Sequence, residues 1–200
     1  YIQELVNQKK IDKILFCARD CDIIWQIYKE YFNDVPSEYI QISRYAIMNA
    51  DAERYLYDLI NRFIIKYANQ FRSSKTIEAV LTETGYGYLV NYLEDDDIDK
   101  FLFPASIAPK KIEAFLHNHR DVIINKNQPA FAAAKKYFDE AIGEAENVLV
   151  VDIGWSGTCI TALKHFVEEY LPEKKCNISG VLMCTSRGRA LTTSISDGTL

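Results

Sequence analysis

NVLVVDIGWSGT, Asn147 to Thr158, is the stretch whose reading decides the fold. The apolar run Val148–Val151 has the composition of a strand buried on both faces, and Asp152 ends it. Gly154 and Gly157, with Ser156 and Thr158 beside them, make a turn. Beyond it, GTCITALKHFVEEYL recurs with one apolar face at helical spacing, and NISGVLMCTS reads as a further strand. Strand, turn, helix and strand in that order form the unit from which parallel sheets are built.

Working outward, the first third repeats the pattern. In KIDKILFCARDCDIIWQIYKEYF, Ile14–Ala18 is a short buried strand. From Asp22 onward, Ile23, Ile24, Ile27, Tyr28 and Tyr31 recur at helical spacing and predict a helix. Pro36 closes the connection, and Tyr39–Ile42 supplies another strand. Pro129 is placed to open the helix AFAAAKKYFDEAI, with Gly143 just past its end. The expected fold is therefore α/β, a Rossmann-like parallel sheet sandwiched by helices, formed by residues 1–44 and 126–200.

Residues 45–125 read as an α-helical insertion or cap over the sheet edge, rich in tyrosine and phenylalanine. ADAERYLYDLINRFIIKYANQF is one amphipathic helix, and TIEAVLTETG and KKIEAFLHNHR are two shorter ones. The acidic run Glu94–Asp99 is a solvated loop or the first turn of a helix, since it lacks the glycine and spacing of a calcium loop. His117 and His119 fall on different sides of a helix, which argues against shared metal ligation, and His165 reads as a surface residue. Asp197–Leu200, DGTL, follows no apolar strand and is read as a chance match to a phosphatase fingerprint.

Hydrophobic content of 48% and charged content of 26% are those of an ordinary globular chain. A net charge of −5 leaves no basic footprint for nucleic acid. The cysteines number 5, an odd count without the spacing of a disulfide framework, which predicts a reduced, cytoplasmic setting. Cys17 and Cys21 have no second Cys/His pair to complete a metal site. No apolar run nears the roughly 20 residues of a membrane span, and no signal peptide is evident. The chain opens at Tyr1 without an initiator methionine, so further domains of a longer protein are expected.

In an open parallel sheet, ligands bind beyond the carboxyl ends of the strands. Here three strands run into polar loops: Arg19-Asp20-Cys21-Asp22, Ser43-Arg44, and Asp152 with the glycine turn. If the strands are neighbours, the loops share one cleft. Gly154 and Gly157 would let backbone N–H groups approach an anion at a helix N-terminus, with the Ser156 and Thr158 hydroxyls beside them. Asp152 suits a divalent cation, and Arg19 or Arg44 suits a phosphate or carboxylate. A plainer reading stays open for each. The glycines then serve only a tight turn, Ser156 or Thr158 caps the following helix, and Asp20 and Asp22 cap the helix near Ile23.

LFCARDCDIIWQIYKEY, SEYIQISR and VVDIGWSGT together resemble a segment of haloacid-dehalogenase-superfamily (HAD) proteins from bacterial surface-polysaccharide gene clusters, which carry ARDG, YLYVSR and DIGWSG in this order. The resemblance covers the two outer thirds of the chain. It implies phosphate-ester hydrolysis of a sugar phosphate or nucleotide. Asp20 would be the nucleophile, Asp22 the acid/base, Ser43 and Lys126 the phosphoryl-steadying groups, and Mg²⁺ would sit on Asp20 and Asp152. The chain departs from the pattern where Ile23-Ile24 replaces a glycine-threonine and where the turn after Asp152 lacks a second acidic residue. The same turn is similar to the phosphate loop of type I phosphoribosyltransferases, with Ser156-Gly157 on a 5-phosphate and Asp152 on ribose hydroxyls, although Val151 stands where that family has an acid. A third reading is a catalytically inactive interaction domain of a larger polysaccharide-assembly protein, docking through its aromatic middle.

Overall fold

The apolar runs become the strands of one sheet. The computed structural model describes residues 1–154 and 156–184, and of Pro109 only the backbone. Trp155, the end of the last expected strand and Asp197–Leu200 lie outside the described residues. In chain order come α1 (Ile2–Lys9), β1 (Lys13–Cys17), α2 (Asp22–Tyr31), β2 (Ser37–Ile40) and α3 (Arg44–Ala50). A helical stretch follows: α4 (Ala52–Asp58), a π-helical segment Leu59–Ile65, α5 (Lys66–Gln70), α6 (Ile77–Glu83) and α7 (Pro109–Asn118). Then come α8 (Arg120–Ile142), β3 (Asn147–Asp152), α9 (Thr158–Tyr170) and β4 (Asn177–Leu182). By contacts the chain forms two compact units, Tyr1–Ile47 with the chain from Phe131 on, and Met48–Ala130.

In the first unit the sheet has four strands in the order β2-β1-β3-β4, and every pairing is parallel. The chain steps outward from β1 to β2 on one side and from β3 to β4 on the other, so the winding reverses between β1 and β3. Right-handed crossovers then place α2 and α9 on opposite faces. This is an α/β, Rossmann-like fold, and the reversal point is where such sheets open a crevice at their carboxyl ends.

Alternation along the strands divides the core. Ile14, Phe16, Leu149, Val151 and Val181 pack with Val6 of α1 and Tyr28 of α2. Leu15, Val148 and Val150 point the other way, with the buried Ile160, Leu163, Phe166 and Val167 of α9 behind them. Phe166 also meets Phe131 and Phe138 of α8, with ring centroids 5.6 and 5.5 Å apart.

The expected α2 buries Tyr28 to 3% exposure but leaves Ile23 and Tyr31 at 69% each and Ile27 at 49%. A helix offers one face to a flat sheet, and Ile24, Trp25 and Tyr28 occupy it. Strand β2 ends at Ile40 rather than Ile42, because Gln41 N–H leaves the ladder to donate to Tyr137 Oη at 2.7 Å. Pro129 does not open a helix; it lies inside α8, which starts at Arg120. A proline removes only its own N–H bond from the ladder. The upstream turns are held by Ile123, fully buried in the helical core.

The second unit has a core of its own. Leu56, Ile60, Ile64 and Ala68 recur every fourth residue and pack with Val80, Leu81, Phe115 and Leu116. Thr76 caps α6 by accepting from Ala79 N–H at 3.2 Å. Within the acidic run, Glu94–Asp96 forms a short 3-10 turn. His119 ends α7, its Nδ1 2.9 Å from the Phe115 carbonyl oxygen. Among the described residues, no helix is long and apolar enough to cross a membrane.

Candidate functional site

At the reversal between β1 and β3, a cavity of about 510 Å³ opens beyond the carboxyl ends of the strands. Its wall is made of first-unit residues from all three loops singled out in the sequence: Arg19 and Asp20 after β1, Ser43 and Arg44 after β2, and Asp152, Gly154, Ser156 and Thr158 after β3.

The β3 turn is closed by its neighbour. Cys184 N–H donates to the Ile153 carbonyl at 2.7 Å and Met183 N–H to the Asp152 carbonyl at 3.0 Å, which extends the pairing with β4 past the strand end. Gly154, at φ 149°, sits so close that an added Cβ would lie 2.0 Å from the Cys184 carbonyl oxygen. Only glycine fits there. Gly157, at φ 70°, is the N-cap of α9, and no side chain caps that helix. The Ser156 and Thr158 hydroxyls lie 2.8 Å apart and bond to each other. The plain reading in which one of them is the N-cap of α9 is corrected, since Gly157 holds that position.

The β1 turn is pinned by a side chain. Buried Cys21 takes the N-cap position of α2, and its Sγ lies 3.4 Å from the Val151 carbonyl. Neither Asp20 nor Asp22 caps α2. Asp22 lies in its first turn, accepts from Gln26 Nε2 at 2.9 Å, and is not part of the cavity wall. Arg19 is held through its carbonyl, which accepts from Tyr39 Oη at 3.2 Å. After β2, Ser43 Oγ accepts from Ala46 N–H at 3.1 Å and so holds the first turn of α3. Lys126 belongs to the second unit, with its ammonium 5.8 Å from the centre of the Tyr88 ring.

Charge is concentrated on this wall. Burial pushes the Asp152 carboxyl above its ordinary range; hydrogen bonds from the Gly154 and Ile153 backbone oppose this, the Asp20 charge adds to it, and the Arg44 charge relieves it. Two carboxylates that repel each other on one wall fit a hard divalent cation, with water and substrate oxygens completing its shell. No cluster of three or more His, Cys, Asp or Glu side chains among the described residues would hold a metal by itself. Among the described residues neither Arg19 nor Arg44 is in an ion pair.

Two wall residues with polar side chains escaped the sequence reading, Gln41 and Cys159. Their signal was positional: one follows the end of β2, and the other lies in the first turn of the helix after the glycine loop. Burial and the Asp152 charge push the Cys159 thiol up to about 12, and burial raises Cys21 to about 11. Cys17 is raised further by its burial. All three stay protonated near neutral pH and are poor nucleophiles.

Fold and wall define the class: a Rossmann-like α/β protein with a polar, charge-bearing cavity at the reversal of its sheet. Set against protein-family models, curated proteins and solved structures, the chain matches none of them.

Proposed function

We propose that the protein binds a phosphorylated small molecule, a sugar phosphate or nucleotide, and hydrolyses its phosphate ester in the manner of the HAD superfamily. The observation that carries this reading is the sharing of one cavity by Asp20, Asp152 and Arg44 at the reversal of the sheet. The resemblance of the three loops to proteins of surface-polysaccharide gene clusters supports a substrate among the precursors of such polymers.

In this mechanism Arg44 and the N-terminus of α9 hold the phosphoryl oxygens, and Ser43, Ser156 and Thr158 add hydroxyls. A carboxylate oxygen of Asp20 attacks phosphorus and displaces the alcohol, whose oxygen takes a proton from Asp22. Water then cleaves the phospho-aspartate, with Asp22 recovering the proton and phosphate leaving. Asp20 and Asp152 would hold Mg²⁺, which when bound neutralises charge on the phosphoryl oxygens. The test is turnover of an aryl phosphate with Mg²⁺. Activity is expected to fall about a thousandfold or more in Asp20→Asn; activity that survives the substitution would sink the mechanism.

One observation favours a second reading, binding without turnover. Asp22 is engaged with Gln26 and stands off the cavity wall, so the acid/base has to change partner before it acts. Phosphate binding with no hydrolysis of any ester, unaffected by Asp22→Asn, is the result that selects this reading.

A further inference from the structure

The cavity has a second arginine beyond the one the proposed phosphoryl contact uses. Its described wall carries two carboxylates and two guanidiniums, and neither arginine is satisfied by an ion pair within the described residues. The two arginines also serve different sides. Arg44 opens α3, and its charge acts on Asp152 and on Cys159, the α9 side of the cavity. Arg19 leaves β1 next to α2. Its carbonyl is fixed by Tyr39 Oη, and the Tyr39 ring stacks on Trp25 of α2 with centroids 5.5 Å apart. Its charge is felt at Tyr39. The Asp20 charge acts on both Asp152 and Tyr39.

Resting on the phosphate-binding reading above, we infer that the substrate carries a second anionic group, phosphate or carboxylate, and that Arg19 is the residue that selects it. A guanidinium presents a planar fork that matches a carboxylate or phosphate bidentately, so each arginine outside an ion pair can take its own anion. A cavity of about 510 Å³ has room for a ligand well beyond a lone phosphate. Arg44 anchors the phosphoryl group beside Asp152, and Arg19 takes the second anion on the α2 side. A substrate with one phosphate and an otherwise neutral body leaves Arg19 without a partner.

The experiment is calorimetric titration of the whole chain in metal-free buffer with two matched pairs of probes. Inorganic phosphate is compared with pyrophosphate, and ethyl phosphate with phosphoglycolate; the first pair adds a second phosphate and the second pair a carboxylate. In at least one pair the doubly anionic probe is expected to bind about tenfold tighter or better. Whichever pair shows the preference names the second group. Arg19→Gln is expected to reduce that preference to about twofold or less, and Arg19→Lys to keep part of it. Arg44→Gln weakens both members of each pair, while Arg62→Gln, a change at an exposed pair with Asp58 in the second unit, shifts neither. Equal binding within each pair, or a preference that survives Arg19→Gln, overturns the inference and leaves the phosphate reading standing. If none of the four probes binds, the phosphate reading fails and this inference falls with it.

Discussion

Two turns leave the carboxyl edge of the sheet side by side, β1 into α2 and β3 into α9, and they are built in opposite ways. The β3 turn relies on backbone freedom: Gly154 and Gly157 both take positive φ, and the extension of β4 closes over the first of them. The β1 turn contains no glycine and is tied down by the Cys21 thiol on the Val151 carbonyl. The tight glycine turn fixes a backbone surface and one half-buried carboxylate, Asp152. The β1 turn delivers exposed side chains, Arg19 and Asp20, to the same cavity. One turn is thus scaffold and the other is reach, and substitutions in the two should cost stability and function in inverse proportion.

The largest expected loss of stability tests the scaffold side. Gly154→Ala places a Cβ against the Cys184 backbone, which no rotamer change relieves, and forces a side-chain-bearing residue to φ 149°. Overpacking and backbone strain together should cost about 4 kcal/mol, read as the shift in urea midpoint at constant slope. Gly154→Ala with an unchanged midpoint would falsify the account of this turn.

The next effect in size lies on α2, which the β1 turn launches. Tyr28→Ala empties a buried site packed on Phe16 and should cost about 3 kcal/mol, whereas Ile23→Ser on the same helix should stay within about 0.5 kcal/mol. Equal losses at the two positions would mean that Ile23 is covered in the folded protein.

How much of this was legible follows the same division. The strands announced themselves, because Leu149–Val151 and Ile14–Phe16 are unbroken apolar runs with no polar residue to confuse the period. Gly154 was legible as a turn. The reason it must be glycine was not, since Cys184 reaches it from another strand. On α2 apolar residues cover more than one face, so sequence alone could not say that Tyr28 goes in while Ile23 and Tyr31 stay out. Pro129 misled because its preference for the first turn is a statistical one, and burial of Ile123 carries the helix through it. At the site, sequence order suggested that Asp20 and Asp22 work as a pair. The helical turn separates them, leaving Asp20 on the wall and Asp22 on Gln26.

The smallest expected changes in stability come from the two carboxylates of the cavity, and they separate the turns by sign. Burial and the Asp20 charge hold the folded-state pKa of Asp152 above its ordinary value. Between those two values the native state binds more protons than the unfolded chain, so stability falls as pH rises through that window and stays lowered above it. Asp152→Asn removes the group that carries this cost. Its melting temperature at pH 7 should therefore exceed that of the parent, and the gain should vanish as the pH falls below the ordinary aspartate range. Asp20 is exposed, and Asp20→Asn should change stability by no more than about 0.5 kcal/mol while removing turnover. A destabilised Asp152→Asn would mean that the backbone hydrogen bonds from Gly154 and Ile153 outweigh the burial they oppose, and that the carboxylate belongs to the scaffold and not to the ligand.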